Sequence, residues 1–265
     1  MIEDIKFNNL LAYLRSLGSV AVAFSGGVDS TLLLIASQMA LNDKVLAISM
    51  KTPYIPAFEI EEAVNFTRKH NIRHKLFDIP FFHQLRENRK DRCYWCKTHL
   101  FKHMLAETRK DGFTNLIDGT NFDDLKDYRP GLEALKELQI KSPFLELEIT
   151  KAEIRQYSQE LGLPTWEKPA YACLLTRIPY GQKVKNVELR RIETAEKYLR
   201  NQGFVGSRVR IHGNLARIEI PKSTITQILT TELFEKISRE FKDIGFTYVT
   251  LDMEGYRTGS HNESL

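Results

Sequence analysis

Along the first two thirds of the chain, short apolar runs alternate with longer stripes at helical spacing. Ile5, Leu10, Leu11, Leu14 and Leu17 fall on one face of a helix predicted over 1–18 and closed by Gly18. The run VAVAF at 20–24 is short and apolar enough for a buried strand, and it stops at Ser25-Gly26-Gly27. Leucines on successive turns then predict a helix over 31–40, followed by strand KVLAISM at 44–50, a helix over 59–69 and a strand over 73–78. Further on come a helix over 98–107, a strand over 115–118, a helix over 132–138 and a segment at 141–145 that closes the sheet. Thr150 with Glu153 three residues later is a capping box, opening a helix that runs to Leu161 and is stopped by Gly162 and Pro164. This rhythm of strands and helices predicts an α/β, Rossmann-like domain with a parallel sheet covered by helices. Ligands of such sheets lie at the carboxyl ends of the strands, where 25–30, Met50 and 119–124 all fall.

The last third changes rhythm. Residues 187–201 form a charged amphipathic helix ended by Gly203, and SRVRIH (207–212) and LARIEI (215–220) alternate with period two around His212-Gly213-Asn214, a hairpin signal. A helix over 222–241 and a strand over 247–252 complete a small α+β domain. The expected division is a first domain over 1–183, a second over 184–258 and a polar tail over 259–265.

Composition changes this picture little: 265 residues, 42% hydrophobic, 27% charged and a net charge of +4 describe an ordinary globular protein. With no apolar leader and no run long enough to cross a bilayer, the chain is read as cytoplasmic with no membrane partner. Three cysteines are too few for a disulfide scaffold and point to chemistry or a metal. Charge is uneven: residues 168–217 hold eleven Lys/Arg against Glu188, Glu193 and Glu196. Within that stretch Arg208 and Arg210 share one strand face, where an anion between two guanidiniums would relieve their repulsion.

Four segments carry candidate chemistry. In SGGVDS, strand, glycine turn and helix form the layout of a phosphate cradle, with Gly26 and Gly27 admitting a ligand close to the backbone. Ser25, Gly26, Gly27, Val28, Asp29 and Ser30 are therefore candidate nucleotide contacts, and no Walker or dinucleotide-binding pattern is present. Asp29 has no phosphate to pair with and reads as a Mg²⁺ ligand or an orienting acceptor. Gly119 and Asp124 close a second strand at the same edge, Asp124 as a second Mg²⁺ candidate against the ordinary capping role, and Arg129 meets a phosphate or an acidic neighbour. Cys93 and Cys96, in RCYWCK, are open to three readings: half a zinc site completed by Cys173 and His99 or His103, a redox pair, or part of an iron–sulfur site. KPAYACLLTRIPYG, bounded by prolines, is a loop presenting Cys173, Thr176 and Arg177.

SGGVDS resembles the loop of the PP-loop ATP pyrophosphatases, which cleave ATP between the α and β phosphates and in which the end of the second strand, here Met50, lines the adenine pocket. Taken in order with RCYWCK, DGTNFDD, DYRPG, ACLLTRIPYG, RVRIHGNLARIEI and LDMEGYRTG, the chain is similar to the LarE sulfur transferases over nearly its whole length. That resemblance implies adenylation by ATP of the carboxylates of pyridinium-3,5-biscarboxylic acid mononucleotide and their conversion to thiocarboxylates for a nickel-pincer cofactor. Asp29 and Ser30 then act with Cys173 in catalysis, while Thr176, Arg177, Arg208 and Arg210 match positions for the mononucleotide phosphate. Family members with a single cysteine at the Cys173 position give up its sulfur. Those that also carry CxxC bind a [4Fe–4S] cluster through three cysteines, which here are Cys93, Cys96 and Cys173, and take sulfide or another donor repeatedly. The resemblance further implies ATP, Mg²⁺ and a homo-oligomer. Nucleic acid is not an expected partner, since no aromatic–basic RNA module is seen; tRNA thiolation and a nucleotide sensor with a zinc knuckle are the rival classes.

Overall fold

Helix α1 (Ile5–Ser16) packs Phe7, Leu10 and Leu14 inward and leaves Ile5 79% exposed, so the buried face is turned by part of a turn from the one predicted. Strand β1 (Val20–Ala23) leads through the glycine turn into α2 (Val28–Leu41), and β2 (Val45–Lys51), α3 (Ala57–Lys69) and β3 (Arg73–Asp78) follow. Then come α4 (Arg92–Lys110), β4 (Asn115–Ile117), α5 (Gly131–Glu137), α6 (Pro143–Glu146) and α7 (Lys151–Glu160). The computed structural model describes residues 2–126, 130–169, 171–257 and 259–260.

Strands β3-β2-β1-β4 form one parallel sheet in that order. The period-two alternation of β1 and β2 divides the core between the two faces. Val20, Val22, Val45 and Ala47 pack with residues of α1, α2, α3 and α7, while Ala21, Leu46, Ile48 and Met50 pack with Phe101 and Met104 of α4 and Leu135 of α5. Each of the larger side chains, Val, Leu, Ile or Met, contributes about 1.5–3 kcal/mol when fully buried, so the central strand is fixed from both sides. Ten of the fourteen residues of α2 are buried, which anchors the helix whose first turn carries Asp29 and Ser30.

Three local readings are corrected. Cys93 and Cys96 lie within α4, because the helix begins at Arg92 and not after the cysteines. Residues 141–145 add only a single parallel bridge from Lys141 to Ile117, since Pro143 has no amide to extend a ladder and opens α6. The helix expected over 222–241 is a short 3₁₀ turn (Ile225–Ile228) and a separate α-helix starting after Thr230, whose side chain accepts the Leu233 amide as an N-cap.

The chain divides into two compact units, Met1–Phe82 with Asp91–Ala170, and His83–Lys90 with Tyr171–Leu265. Residues 171–183, expected with the first domain, therefore group with the second. The second unit contains a 3₁₀ turn (Leu174–Arg177), α8 (Asn186–Asn201), β5 (Arg208–His212), β6 (Leu215–Glu219), α9 (Thr231–Asp243) and β7 (Tyr248–Leu251). Strands β5 and β6 are the predicted hairpin, and β7 joins β6 in parallel. No helix among the described residues is long and apolar enough to cross a membrane.

Candidate functional site

At the carboxyl end of β1 the chain turns sharply at Gly26, whose φ of 71° favours glycine. The hydroxyls of Ser25 and Ser30 lie 3.0 Å apart; Ser30 donates to the Gly27 carbonyl at 3.3 Å, and Ser25 accepts the Gly27 amide at 3.3 Å. Two serines thus tie both ends of the turn together without a ligand. Gly27 gives α2 no side-chain cap, so the positive end of the backbone dipole at the first turn suits an anionic group. Gly119, just beyond β4, backs onto this turn: a methyl group there would stand 3.0 Å from the Ser30 nitrogen and 3.1 Å from the Asp29 carbonyl carbon.

The Asp29 carboxylate is paired with Lys151, the first residue of α7, and accepts from the side-chain amide of Asn121 at 3.5 Å. Burial pushes the Asp29 carboxyl above its ordinary value, and the Lys151 charge and hydrogen bond offset part of that rise. Lys151 is itself held at the backbone, where its amide donates to Asp123 at 2.8 Å next to the predicted Thr150/Glu153 capping box. Asp124 accepts the Asn121 backbone N–H at 3.0 Å, the capping geometry that competes with a metal role. Lys168 donates to the Gly26 carbonyl at 2.8 Å and pairs with Glu62 at 2.6 Å, while Arg155 of α7 holds the Trp166 and Lys168 carbonyls. Met50 is buried near the end of β2. Arg129 lies outside the described residues.

Cys93 and Cys96 stand one helical turn apart at the start of α4, and the Cys96 sulfur is 3.6 Å from the Tyr54 hydroxyl. Neither they nor Cys173 is in a disulfide. The histidines of the zinc alternative face aromatic rings: His99 stacks on Phe82 at 4.0 Å and His103 meets the edge of Phe77 at 5.2 Å. Among the described residues, no group of three or more His, Cys, Asp or Glu side chains is assembled to hold a metal. Cys93 and Cys96 therefore lie one helical turn apart within the first unit, and Cys173 belongs to the second.

In the second unit Cys173 precedes the turn Leu174–Arg177. Thr176 donates to the Cys173 carbonyl at 2.9 Å. Arg177, 2% exposed, donates to the Ala172 carbonyl at 2.9 Å and grips Glu196 with two hydrogen bonds of 2.8 and 3.1 Å. Burial works to lower the Arg177 pKa, and Glu196 outweighs it, leaving the guanidinium above its ordinary value. Arg210 is held by both carboxylate oxygens of Glu219 and donates to the Thr176 carbonyl at 2.7 Å. Arg208 lies 5.2 Å from the Tyr171 ring and 4.9 Å from the Tyr256 ring, and donates to the Gly206 and Ser207 carbonyls. Burial, then repulsion from Arg177, lowers its pKa. The structure therefore gathers Thr176, Arg177, Arg208 and Arg210 at one place beside Cys173.

Sequence reasoning passed over Lys151, Asn121, Glu219, Tyr171 and Tyr256. Only Glu219 carried a usable signal: the hairpin register sets it opposite Arg208, two positions from Arg210. The Asp29–Lys151 pair spans 122 residues and has no local signature.

Residues 7–95 match the NAD synthase family. The whole chain is similar to an uncharacterized protein of Synechocystis sp., with 40% identity covering 100% of this chain and 99% of the relative. It is 34% identical, over 97% of this chain and 93% of the relative, to the pyridinium-3,5-bisthiocarboxylic acid mononucleotide synthase of Lactiplantibacillus plantarum. An uncharacterized Methanocaldococcus jannaschii protein is 35% identical over 96% of this chain and 97% of its own.

Proposed function

The chain belongs to the LarE family, that of pyridinium-3,5-bisthiocarboxylic acid mononucleotide synthase, and from that premise we propose that it is an ATP-dependent, AMP-forming sulfurtransferase acting on the carboxylates of pyridinium-3,5-biscarboxylic acid mononucleotide. The observation that carries the reading is loop 25–30, a serine-braced glycine turn at a helix N-terminus. It has the shape and donors for a triphosphate, and no lysine of the Walker type.

In the first step a substrate carboxylate oxygen attacks the α-phosphorus of ATP; the bond to the β-phosphate bridge breaks and pyrophosphate leaves into loop 25–30. Ser25, Gly26, Gly27, Val28 and Ser30 hold that charge, and Met50 packs against the base. Asp29 would meet the divalent cation together with the phosphates, with Asp124 at the same strand edge. In the second step sulfur attacks the acyl carbon, the carbon–oxygen bond to AMP breaks, and a thiocarboxylate remains. AMP is a far better leaving group than oxide, which is the purpose of the first step. The mononucleotide phosphate would bind at the cluster of Thr176, Arg177, Arg208 and Arg210 beside Cys173, where Glu196 and Glu219 hold Arg177 and Arg210 in place.

For the sulfur source we assign Cys93, Cys96 and Cys173 as the residues that would hold a [4Fe–4S] cluster, which would supply sulfide to the activated carboxyl. The donor chemistry supports this: three thiols outside disulfides, two of them one turn apart. The alternative is Cys173 as the donor itself, ending as dehydroalanine.

The test is incubation of anaerobically purified protein with ATP, Mg²⁺ and sulfide, with the mononucleotide and in parallel with bulk tRNA, followed by mass spectrometry of product and protein. Oxygen-to-sulfur exchange matched by AMP supports the proposal, and AMP with sulfur transferred only to tRNA overturns it. Iron and sulfide lost alike in Cys93→Ala, Cys96→Ala and Cys173→Ala support the cluster. Iron-free active protein that loses one sulfur per turnover assigns the donor role to Cys173.

A further inference from the structure

The turn that leaves β2 brings a phenol to the cysteine pair. Beyond Lys51 the chain folds back, with the Ile55 amide donating to the Thr52 carbonyl at 3.2 Å and the Tyr54 amide to the Thr52 hydroxyl at 3.4 Å. Tyr54 is 1% exposed, and its ring meets Phe81 edge-on with centroids 5.5 Å apart. A phenol buried so deeply needs a partner for its hydroxyl. The Cys96 thiol is one, donating to the Tyr54 oxygen at 3.6 Å. The contact lies wholly within the first unit and joins two well-anchored pieces: β2 is paired on both sides in the sheet, and Phe101 and Met104 hold α4 against it. Cys93, one turn earlier on α4, is exposed, so the two thiols have different surroundings.

A thiol donates only while it keeps its proton. As an iron ligand Cys96 is a thiolate, able only to accept. The thiol proton then passes to solvent, and the contact survives if the phenol turns its own O–H towards the sulfur. We propose that Tyr54 is a positioning residue for the iron–sulfur site, its hydroxyl donating to the coordinated Cys96 sulfur. The same side-chain pair thus serves the empty and the loaded protein, with donor and acceptor exchanged. A hydrogen bond to a ligand sulfur draws off negative charge, and so favours the reduced cluster, which carries one electron more. The inference rests on the cluster assigned above and adds to it a residue, outside the cysteine motif, that sets its potential.

Redox titration of the anaerobically reconstituted protein, followed by electron paramagnetic resonance, tests it. Tyr54→Phe keeps the buried ring and removes only the hydroxyl. The reduction equilibrium is expected to shift about tenfold against the reduced cluster, a fall of about 59 mV for a one-electron couple. Tyr94→Phe is the control, because that hydroxyl belongs to a residue between the two cysteines yet donates to Glu137 at 2.8 Å. It is expected to leave the equilibrium within about twofold of the parent. A shift of less than about twofold in Tyr54→Phe, or an equal shift in Tyr94→Phe, overturns the inference. A parent protein that takes up iron and sulfide while Tyr54→Phe changes nothing leaves the cluster standing and sinks only the role of the tyrosine; one that takes up neither sinks both.

Discussion

Glu196 holds a guanidinium that has almost no contact with water. Arg177 is 2% exposed, the Glu196 side chain 11%, and the two share a bidentate pair of hydrogen bonds. One Glu196 oxygen also accepts the Val209 amide at 2.9 Å, so the carboxylate ties α8 to β5 as well. Glu196→Ala strands a buried charge, which costs about 3–5 kcal/mol, and leaves a backbone amide without its acceptor, about 1–3 kcal/mol more. Taking the lower bound of each, the second unit loses at least about 4 kcal/mol, or ~16 °C in melting temperature for a domain of about 100 residues. Replacing both partners by apolar residues, Arg177→Met with Glu196→Leu, removes the stranded charge and recovers much of that loss. Both tryptophans, Trp95 and Trp166, lie in the first unit, so calorimetry and far-ultraviolet circular dichroism report the change while tryptophan fluorescence reports the other unit. Because Arg177 also fixes the Ala172 and Cys173 carbonyls, alkylation of Cys173 is expected to accelerate in Glu196→Ala. A loss below about 1 kcal/mol, or a charge-free double variant no better than Glu196→Ala, refutes the reasoning.

Gly119→Ala pushes a methyl group against the backbone of Asp29 and Ser30; an overpacking strain of about 1–3 kcal/mol translates into roughly five- to hundredfold weaker binding of an ATP analogue, read by calorimetry. His74 sits between the hydroxyls of Thr67 and Ser49, and burial lowers its pKa to about 4. The unfolded chain therefore binds a proton that the folded one resists, so this residue's contribution is present above pH about 6.5 and is lost as pH falls towards about 4. Melting curves between pH 7 and 5 should flatten in His74→Gln, and an unaltered profile would count against the assignment. Asn88 is fully buried and its side-chain amide donates to the Ile178 and Pro179 carbonyls at 2.8 and 3.0 Å; Asn88→Ala should destabilise the second unit by about 1–3 kcal/mol in a denaturant titration.

The parallel sheet was legible because its strands are apolar runs between turn residues, and strand β3 falls on the predicted span. The capping box fixed the start of α7 for the same local reason. Where local signals conflicted, tertiary packing decided: Cys93, Tyr94, Trp95 and Cys96 are indifferent helix formers, yet α4 extends back over them, with Trp95 donating to Asp91 and Tyr94 to Glu137. In the 222–241 stretch the β-branched run around Thr224, Ile225 and Thr226 weakens the helix, and Thr230 was the overlooked start signal. At the site, the glycine turn, the cysteines and the arginines were visible as residue types. Their partners were not, because Arg177–Glu196 and Asp29–Lys151 are fixed by how distant segments meet and leave no periodicity behind.

The octapeptide His83–Lys90 belongs with residues that the ribosome makes much later. Its Arg86 carbonyl accepts the Val184 amide and its Asn88 carbonyl accepts the Gly181 amide, at 2.7 and 3.1 Å. At translation speeds of about 5–20 residues per second, those partners appear roughly 5–20 s after the octapeptide itself. During that interval the nascent chain must keep a polar insert in readiness while the sheet around it assembles. The arrangement also means that the carboxy-terminal module is not a cassette: it cannot be shortened to a contiguous fragment, transplanted or acquired by a single gene fusion without leaving its own internal support behind in the first half of the gene.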